Sequence, residues 1–182
     1  MNEAEAPVNK VLVIVYSYTG TSRRVAELLR AQHGWPVAHI HDARPRSGVL
    51  GGWRCFLDAM LRRHPEVRYD GPPPSDYDAV VLVSPIWLLQ LAGPMRSFVA
   101  RQHRRLRKVA VLSVMGGEGE PDAAAEIGEL LGRAPVLSAA VTRREVNNGR
   151  CAQRLQAFGD ALGGGENPRA AVHSAALSPQ SI

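Results

Sequence analysis

Runs of apolar residues without polar alternation recur along the chain at Val11 to Tyr16, around Val37 to Ile40, at Ala79 to Ser84, Val109 to Val114 and Val136 to Val141. A strand with one wet face alternates, whereas a strand covered on both faces reads as a continuous Val- and Leu-rich run, so these five segments predict buried strands. Between them the apolar residues return every three or four positions, which places them on one face of a helix. The stripes are Val25, Leu28 and Leu29; Trp53, Phe56, Leu57, Met60 and Leu61; Met95, Phe98 and Val99; Ile127, Leu130 and Leu131; and Leu155, Phe158 and Leu162. The second stripe is the cleanest, with Arg54, Asp58, Arg62 and Arg63 on its other side, and its Trp and Phe read as core packing.

Breakers punctuate the same pattern. Gly51-Gly52 opens the second helix, His64-Pro65 closes it, GPPPSD makes the turn before the third strand, and Pro121 and Gly132 bracket the fourth helix. Five strands alternating with five helices predict an α/β fold: a doubly wound five-stranded parallel sheet with right-handed crossovers and helices on both faces, in three α/β/α layers. The expected limits are an N-terminal tail over residues 1–9, one domain over 10–162 and a flexible C-terminal tail over 163–182. No internal repeat is visible.

Composition narrows the function more than the fold. An apolar content of 45% over 182 residues suits one packed domain. The N-terminal MNEAEAPVNK has no apolar segment behind it of the kind a secretory signal needs, and no apolar run is long enough to span a bilayer. The expectation is therefore a soluble cytoplasmic protein with no membrane partner. Cys55 and Cys151 lack the spacing of a zinc site or a redox pair and read as reduced thiols. The six histidines, His39 and His41 included, show no metal-ligand spacing, so no metal is expected. The formal charge of +5 is nearly all arginine, since Lys10 and Lys108 are the only lysines. Its densest cluster, Arg101 to Lys108, falls at the end of a predicted helix, where cations suit the dipole. No aromatic residue interleaves with it, as base stacking would require, so nucleic acid is not an expected partner.

The chemistry-bearing stretch is the junction after the first strand, where VLVIVY gives way to SYTGTS and then to a helix. In an open parallel sheet ligands bind beyond the carboxyl ends of the strands, at the point where the winding reverses. Ser17, Thr19, Thr21 and Ser22 supply hydroxyls, Gly20 lets the backbone curl, and the following helix presents unpaired N–H groups to the same point. A phosphate monoester suits such a nest. A single hydroxyl would suffice as a helix cap, so four favour an anion site over a cap. GxxxxGK and GxGxxG are both absent, which argues against a nucleotide-triphosphate loop and a dinucleotide fingerprint. Arg23 and Arg24 stand in the first helical turn, where the dipole disfavours cations, a placement easier to understand beside a phosphate dianion.

With those residues in view, the sequence resembles the flavodoxin family. SYTGTS, Ser17 to Ser22, is similar to the family's FMN-phosphate loop, with Ser22 where the last Thr commonly stands. DYDAVVLVSPIWLLQLAGPMRSFV, Asp76 to Val99, resembles the third strand, the second flavin loop and the helix after it; VLSVMGGEGEPD, Val111 to Asp122, resembles the fourth strand and third flavin loop. The resemblance covers about residues 10 to 160 and implies strand order 2-1-3-4-5. It implies FMN as cofactor, with the phosphate held by Ser17, Tyr18, Thr19, Gly20, Thr21 and Ser22. The ring would lie between Ser84, Pro85, Ile86 and Trp87 on one side and Met115, Gly116, Gly117 and Gly119 on the other, with Trp87 as the stacking residue. Because the flavin carries the redox chemistry, no catalytic side chain is implied.

The implied activity is an oxidoreductase that passes electrons from NAD(P)H to a small acceptor such as a quinone. Its partners would be a nicotinamide cofactor and that acceptor. The alternative is a non-enzymatic carrier docking on larger redox proteins, which the positive charge disfavours unless the partner is acidic. Homo-oligomerisation is left open.

Overall fold

The computed structural model describes residues 10–43, 65–87, 90–116 and 123–163, with Trp87 described by its backbone alone. The second helix expected around Trp53 to Leu61, residues 1–9 and 164–182, Cys55, Gly117 and Gly119 lie outside the described residues, while Gly163, expected to open the C-terminal tail, ends the last helix.

The strands are β1 (Val11–Tyr16), β2 (Val37–Asp42), β3 (Val67–Asp70), β4 (Ala79–Trp87), β5 (Gln90–Leu91), β6 (Lys108–Met115) and β7 (Leu137–Thr142). The helices are α1 (Thr21–His33), α2 (Gly93–Gln102), α3 (Ala123–Leu131), α4 (Arg143–Asn147) and α5 (Ala152–Gly163). The sheet order is β3-β2-β1-β4-β6-β7, with β5 folded back on β4. Its five parallel strands, β2-β1-β4-β6-β7, run in the order 2-1-3-4-5. The winding thus reverses between β1 and β4, which puts the carboxyl end of β1 at the ligand-binding position of such sheets.

The unbroken apolar runs have a direct cause. In β1, Val11, Val13 and Val15 face one core and Leu12, Ile14 and Tyr16 the other, all at 4% exposure or less. The first core is closed by Val25 and Leu29 of α1 and Leu155, Phe158 and Leu162 of α5. The second is closed by Met95, Phe98 and Val99 of α2 and Ile127 and Leu131 of α3. With a helical layer on each face, neither side of the central strands meets water, and period-two alternation disappears from the sequence. Val37, Val13, Val81, Ala110 and Leu137 stand in one row across the five parallel strands. That shared register brings the carboxyl ends of β1, β4, β6 and β7 to the same rim.

Three features depart from the sequence expectation. β3 adds an antiparallel edge beyond β2, pairing Tyr69 with Ile40. Its side chain packs at 5.0 Å on the Phe98 ring, and the hydroxyl donates to the Pro72 carbonyl at 2.6 Å. Second, β4 does not stop at Ser84 but continues to Trp87, because Pro85 pairs with Val114 and the Ile86-Trp87 pair is matched by Leu91 and Gln90. The SPIW segment is therefore the end of a strand rather than a free loop. Third, a short helix, α4, precedes the final helix; it starts with a capping box in which Thr142 and Glu145 exchange backbone and side-chain hydrogen bonds. Among the described residues no helix is long and apolar enough to cross a membrane.

Candidate functional site

At the carboxyl end of β1 the chain leaves the sheet through Ser17, Tyr18, Thr19 and Gly20. Gly20 is the N-cap of α1 and sits at φ 90°, in the left-handed region that L side chains rarely adopt. The first helical bond runs from the Arg24 N–H to the Gly20 carbonyl at 3.1 Å. Thr21, Ser22 and Arg23 therefore have N–H groups with no helical carbonyl to bond. No side chain caps this helix. The hydroxyls are used otherwise: Ser17 Oγ accepts the Gly20 N–H at 3.1 Å, tightening the turn, and Thr19 and Thr21 Oγ1 lie 3.4 Å apart. Ser22 is buried, at 2% exposure, yet its hydroxyl makes no hydrogen bond among the described residues.

A small open cleft of about 100 Å³ lies against this turn. Tyr18, Thr19, Thr21 and Ser22 form one wall. Pro85 and Ile86 from the end of β4, with Val114, Met115 and Gly116 from the end of β6, form the other. Arg143, the first residue of α4, completes the lining. Three chain segments singled out in the sequence thus meet at one cleft. Ser17, Gly20 and Ser84 do not line it: Ser17 and Gly20 shape the turn, and Ser84 is buried in β4 with its hydroxyl donating to the Pro85 carbonyl at 3.2 Å. The Trp87 side chain, Gly117 and Gly119 lie outside the described residues.

Val114 opens the third loop segment that the sequence reading brought to the site, whereas Arg143 was missed: it follows the fifth parallel strand, outside every segment singled out in the sequence. Arg23 and Arg24, by contrast, are exposed and absent from the cleft lining. Arg24 donates to Asn147 Oδ1 at 3.2 Å, fastening α1 to α4. Arg23 is close enough to His39, on β2, to help lower that imidazole's pKa after the larger effect of burial.

The second wall has a hidden support. Arg96 of α2 and Glu126 of α3 form an ion pair with side-chain exposures of 2% and 9%. Glu126 Oε2 accepts the Leu91 N–H at 2.9 Å, and Arg96 Nη2 donates to the Leu91 carbonyl at 3.0 Å. Both polar backbone groups of Leu91 are thereby satisfied by side chains from the helices behind it, and the turned-back end of β4 is held in place.

Chemically the lining fits a phosphate-bearing ligand. Hydroxyls and helical N–H groups without helical partners converge, and among the described lining residues Arg143 is the one that is charged and none is a carboxylate that would repel an anion. No group of three or more metal-ligating side chains occurs among the described residues. The Cys151 thiol is free and buried within the first core, where burial pushes its pKa up. It is not part of the cleft.

No family model and no curated protein matches the sequence. Solved structures do match the fold. A flavoprotein in complex with FMN from Lactobacillus acidophilus NCFM superposes with a TM-score of 0.64 at 19% identity, covering 79% of this chain and 98% of that one. A putative flavoprotein from Bacteroides eggerthii DSM 20697 gives 0.64 at 20% identity, covering 77% and 94%. One from Bacteroides uniformis ATCC 8492 gives 0.63 at 18% identity, covering 79% and 98%.

Proposed function

Starting from a chain with the flavodoxin-like fold, we propose that this protein binds FMN at the cleft and works as an oxidoreductase, passing electrons from NAD(P)H to a small acceptor such as a quinone. The observation that carries the proposal is the turn at residues 17–22. It combines a left-handed glycine, helical N–H groups without helical partners and the hydroxyl of the buried Ser22, which has no hydrogen bond among the described residues, all against a cleft with no carboxylate among its described lining residues. The FMN complex of the Lactobacillus acidophilus flavoprotein supports it by analogy of fold.

When bound, FMN supplies the electron-transfer chemistry itself. The chain's part is to bind, orient and shield. Thr19, Thr21 and Ser22 would take the phosphate, and Pro85 and Ile86 with Met115 and Gly116 would hold the ring system between the ends of β4 and β6. Tyr18, at 39% exposure, covers the outer edge of the turn. The Arg96–Glu126 pair fixes the wall against which the ring would rest. A surface of net positive charge suits an anionic dinucleotide as electron donor better than a basic protein partner.

The test is a titration of purified protein with FMN, followed by absorbance, and then anaerobic addition of NADH or NADPH. Micromolar binding and prompt bleaching of the yellow colour are expected. Binding with persistent colour would instead mark a carrier that requires a redox protein. Absence of binding at micromolar FMN would end both.

A further inference from the structure

Resting on the proposal that the cleft holds FMN, we infer that Arg143 is a direct ligand of the flavin's phosphate, a role that no sequence motif assigns it. Two helices begin at this rim with paired arginines, TSRR at Thr21 to Arg24 and TRRE at Thr142 to Glu145. A cation in a first helical turn opposes the dipole, so both pairs stand where helix energetics alone disfavours them. The structure separates their fates. Arg24 is bonded to Asn147, and Arg23 is close enough to His39 of β2 to act on its charge. Arg143 alone of the four lines the cleft, where it shares the wall with Thr19, Thr21 and the buried Ser22. It is exposed and has no hydrogen bond or ion pair among the described residues, although a carboxylate, Glu145, stands within the same short helix.

That availability is built in. Glu145, the acid closest in sequence to Arg143, is occupied: it accepts from the Thr142 N–H at 2.7 Å and the Thr142 hydroxyl at 2.9 Å, and pairs with Arg154 at 3.0 Å. The capping box fixes the backbone on either side of Arg143, and the Arg24–Asn147 bond ties the helix to α1. The guanidinium is thus anchored at its root and without a partner at its tip among the described residues, on a lining whose other described residues are all neutral. A phosphate monoester carries close to two negative charges near neutral pH. Neutral hydroxyls and N–H groups can solvate that charge but not balance it; Arg143 supplies the balance and a forked donor matched to phosphate oxygens.

The experiment compares Arg143→Gln and Arg143→Lys with the wild type for binding of FMN and of riboflavin, which lacks the phosphate, at low and high salt, by quenching of flavin fluorescence. Expected is a loss of about tenfold or more in FMN affinity for Arg143→Gln, partial recovery in Arg143→Lys, unchanged riboflavin affinity, and a weaker salt dependence of FMN binding. Unfolding midpoints should stay level, because the side chain is exposed. Wild-type FMN binding with Arg143→Gln unaltered would overturn this inference alone. Equal losses for both flavins would overturn it too, by moving Arg143 to the ring or to the frame of the cleft. If the wild type binds neither flavin, the inference falls together with the function it rests on.

Discussion

The two walls of the cleft are built in opposite ways. The phosphate-side turn is local and polar: six consecutive residues carry its hydroxyls, and the bonds from Gly20 N–H to Ser17 and between Thr19 and Thr21 span three residues or fewer. The opposite wall is apolar at its surface and secured from behind by an ion pair whose partners come from α2 and α3, thirty residues apart. A grip on a headgroup needs donors at one point, which adjacent residues can supply. A flat wall for a ring needs a strand end held at a fixed angle, and that takes distant, buried groups. The two walls should therefore fail differently, the first by losing ligand and the second by losing fold.

The largest effect is expected on the braced wall. Glu126→Ala leaves the Arg96 guanidinium buried without its carboxylate, a loss of about 3–5 kcal/mol. Urea unfolding should show it. Replacing both partners, as Arg96→Met with Glu126→Leu, should cost less than either single change, although the Leu91 N–H and carbonyl then lose their side-chain partners. If the single changes are silent, the brace does not hold the wall. On the polar wall, Thr19→Ala with Ser22→Ala should weaken FMN by about tenfold or more while the urea midpoint hardly moves. A stability loss equal to that of Glu126→Ala would erase the contrast.

Smaller effects sharpen it. Gly20→Ala meets no atom within 4 Å, so its cost is the left-handed backbone alone, about 1–2 kcal/mol. A larger loss would show that the turn is packed rather than open. Thr142→Ala removes the cap of α4, for about 1 kcal/mol. The same cap has a pH signature. Burial pushes the Glu145 carboxyl up, but the Thr142 N–H and hydroxyl and the Arg154 guanidinium outweigh it and hold the group below its ordinary value. A depressed carboxylate binds fewer protons folded than unfolded, so its stabilisation is complete above the ordinary carboxylate range and drains away as pH falls through the folded value. The acid-side stability loss should therefore shrink in Thr142→Ala, as read from urea midpoints at successive pH values.

The contrast also explains what the sequence could reveal. The parallel sheet was legible because burial on both faces leaves an unmistakable run at Val11 to Tyr16 and at Ala79 to Ser84. The turn at Ser17 to Ser22 was legible because its donors are consecutive. β3 was not, since Val67 to Asp70 is four residues long and half-exposed, with a signal no stronger than a turn's. The extension of β4 through Pro85 was hidden because proline argues against strand, and only pairing with Val114 and the fold-back of Gln90-Leu91 sustain it. Arg96 and Glu126 meet in the interior, and nothing in their spacing along the chain says so. Arg143 was invisible for the same reason, because its neighbours in the cleft come from three separate, earlier segments of the chain.

The central claim is that the turn after β1 grips a phosphate, and backbone amide shifts observed by NMR on adding FMN test it most directly. The largest shifts are predicted at Gly20, Thr21, Ser22 and Arg23, with riboflavin leaving those four amides nearly still while moving Ile86 and Gly116. Shifts confined to the β4 and β6 ends with both flavins, or appearing away from the cleft altogether, would contradict it.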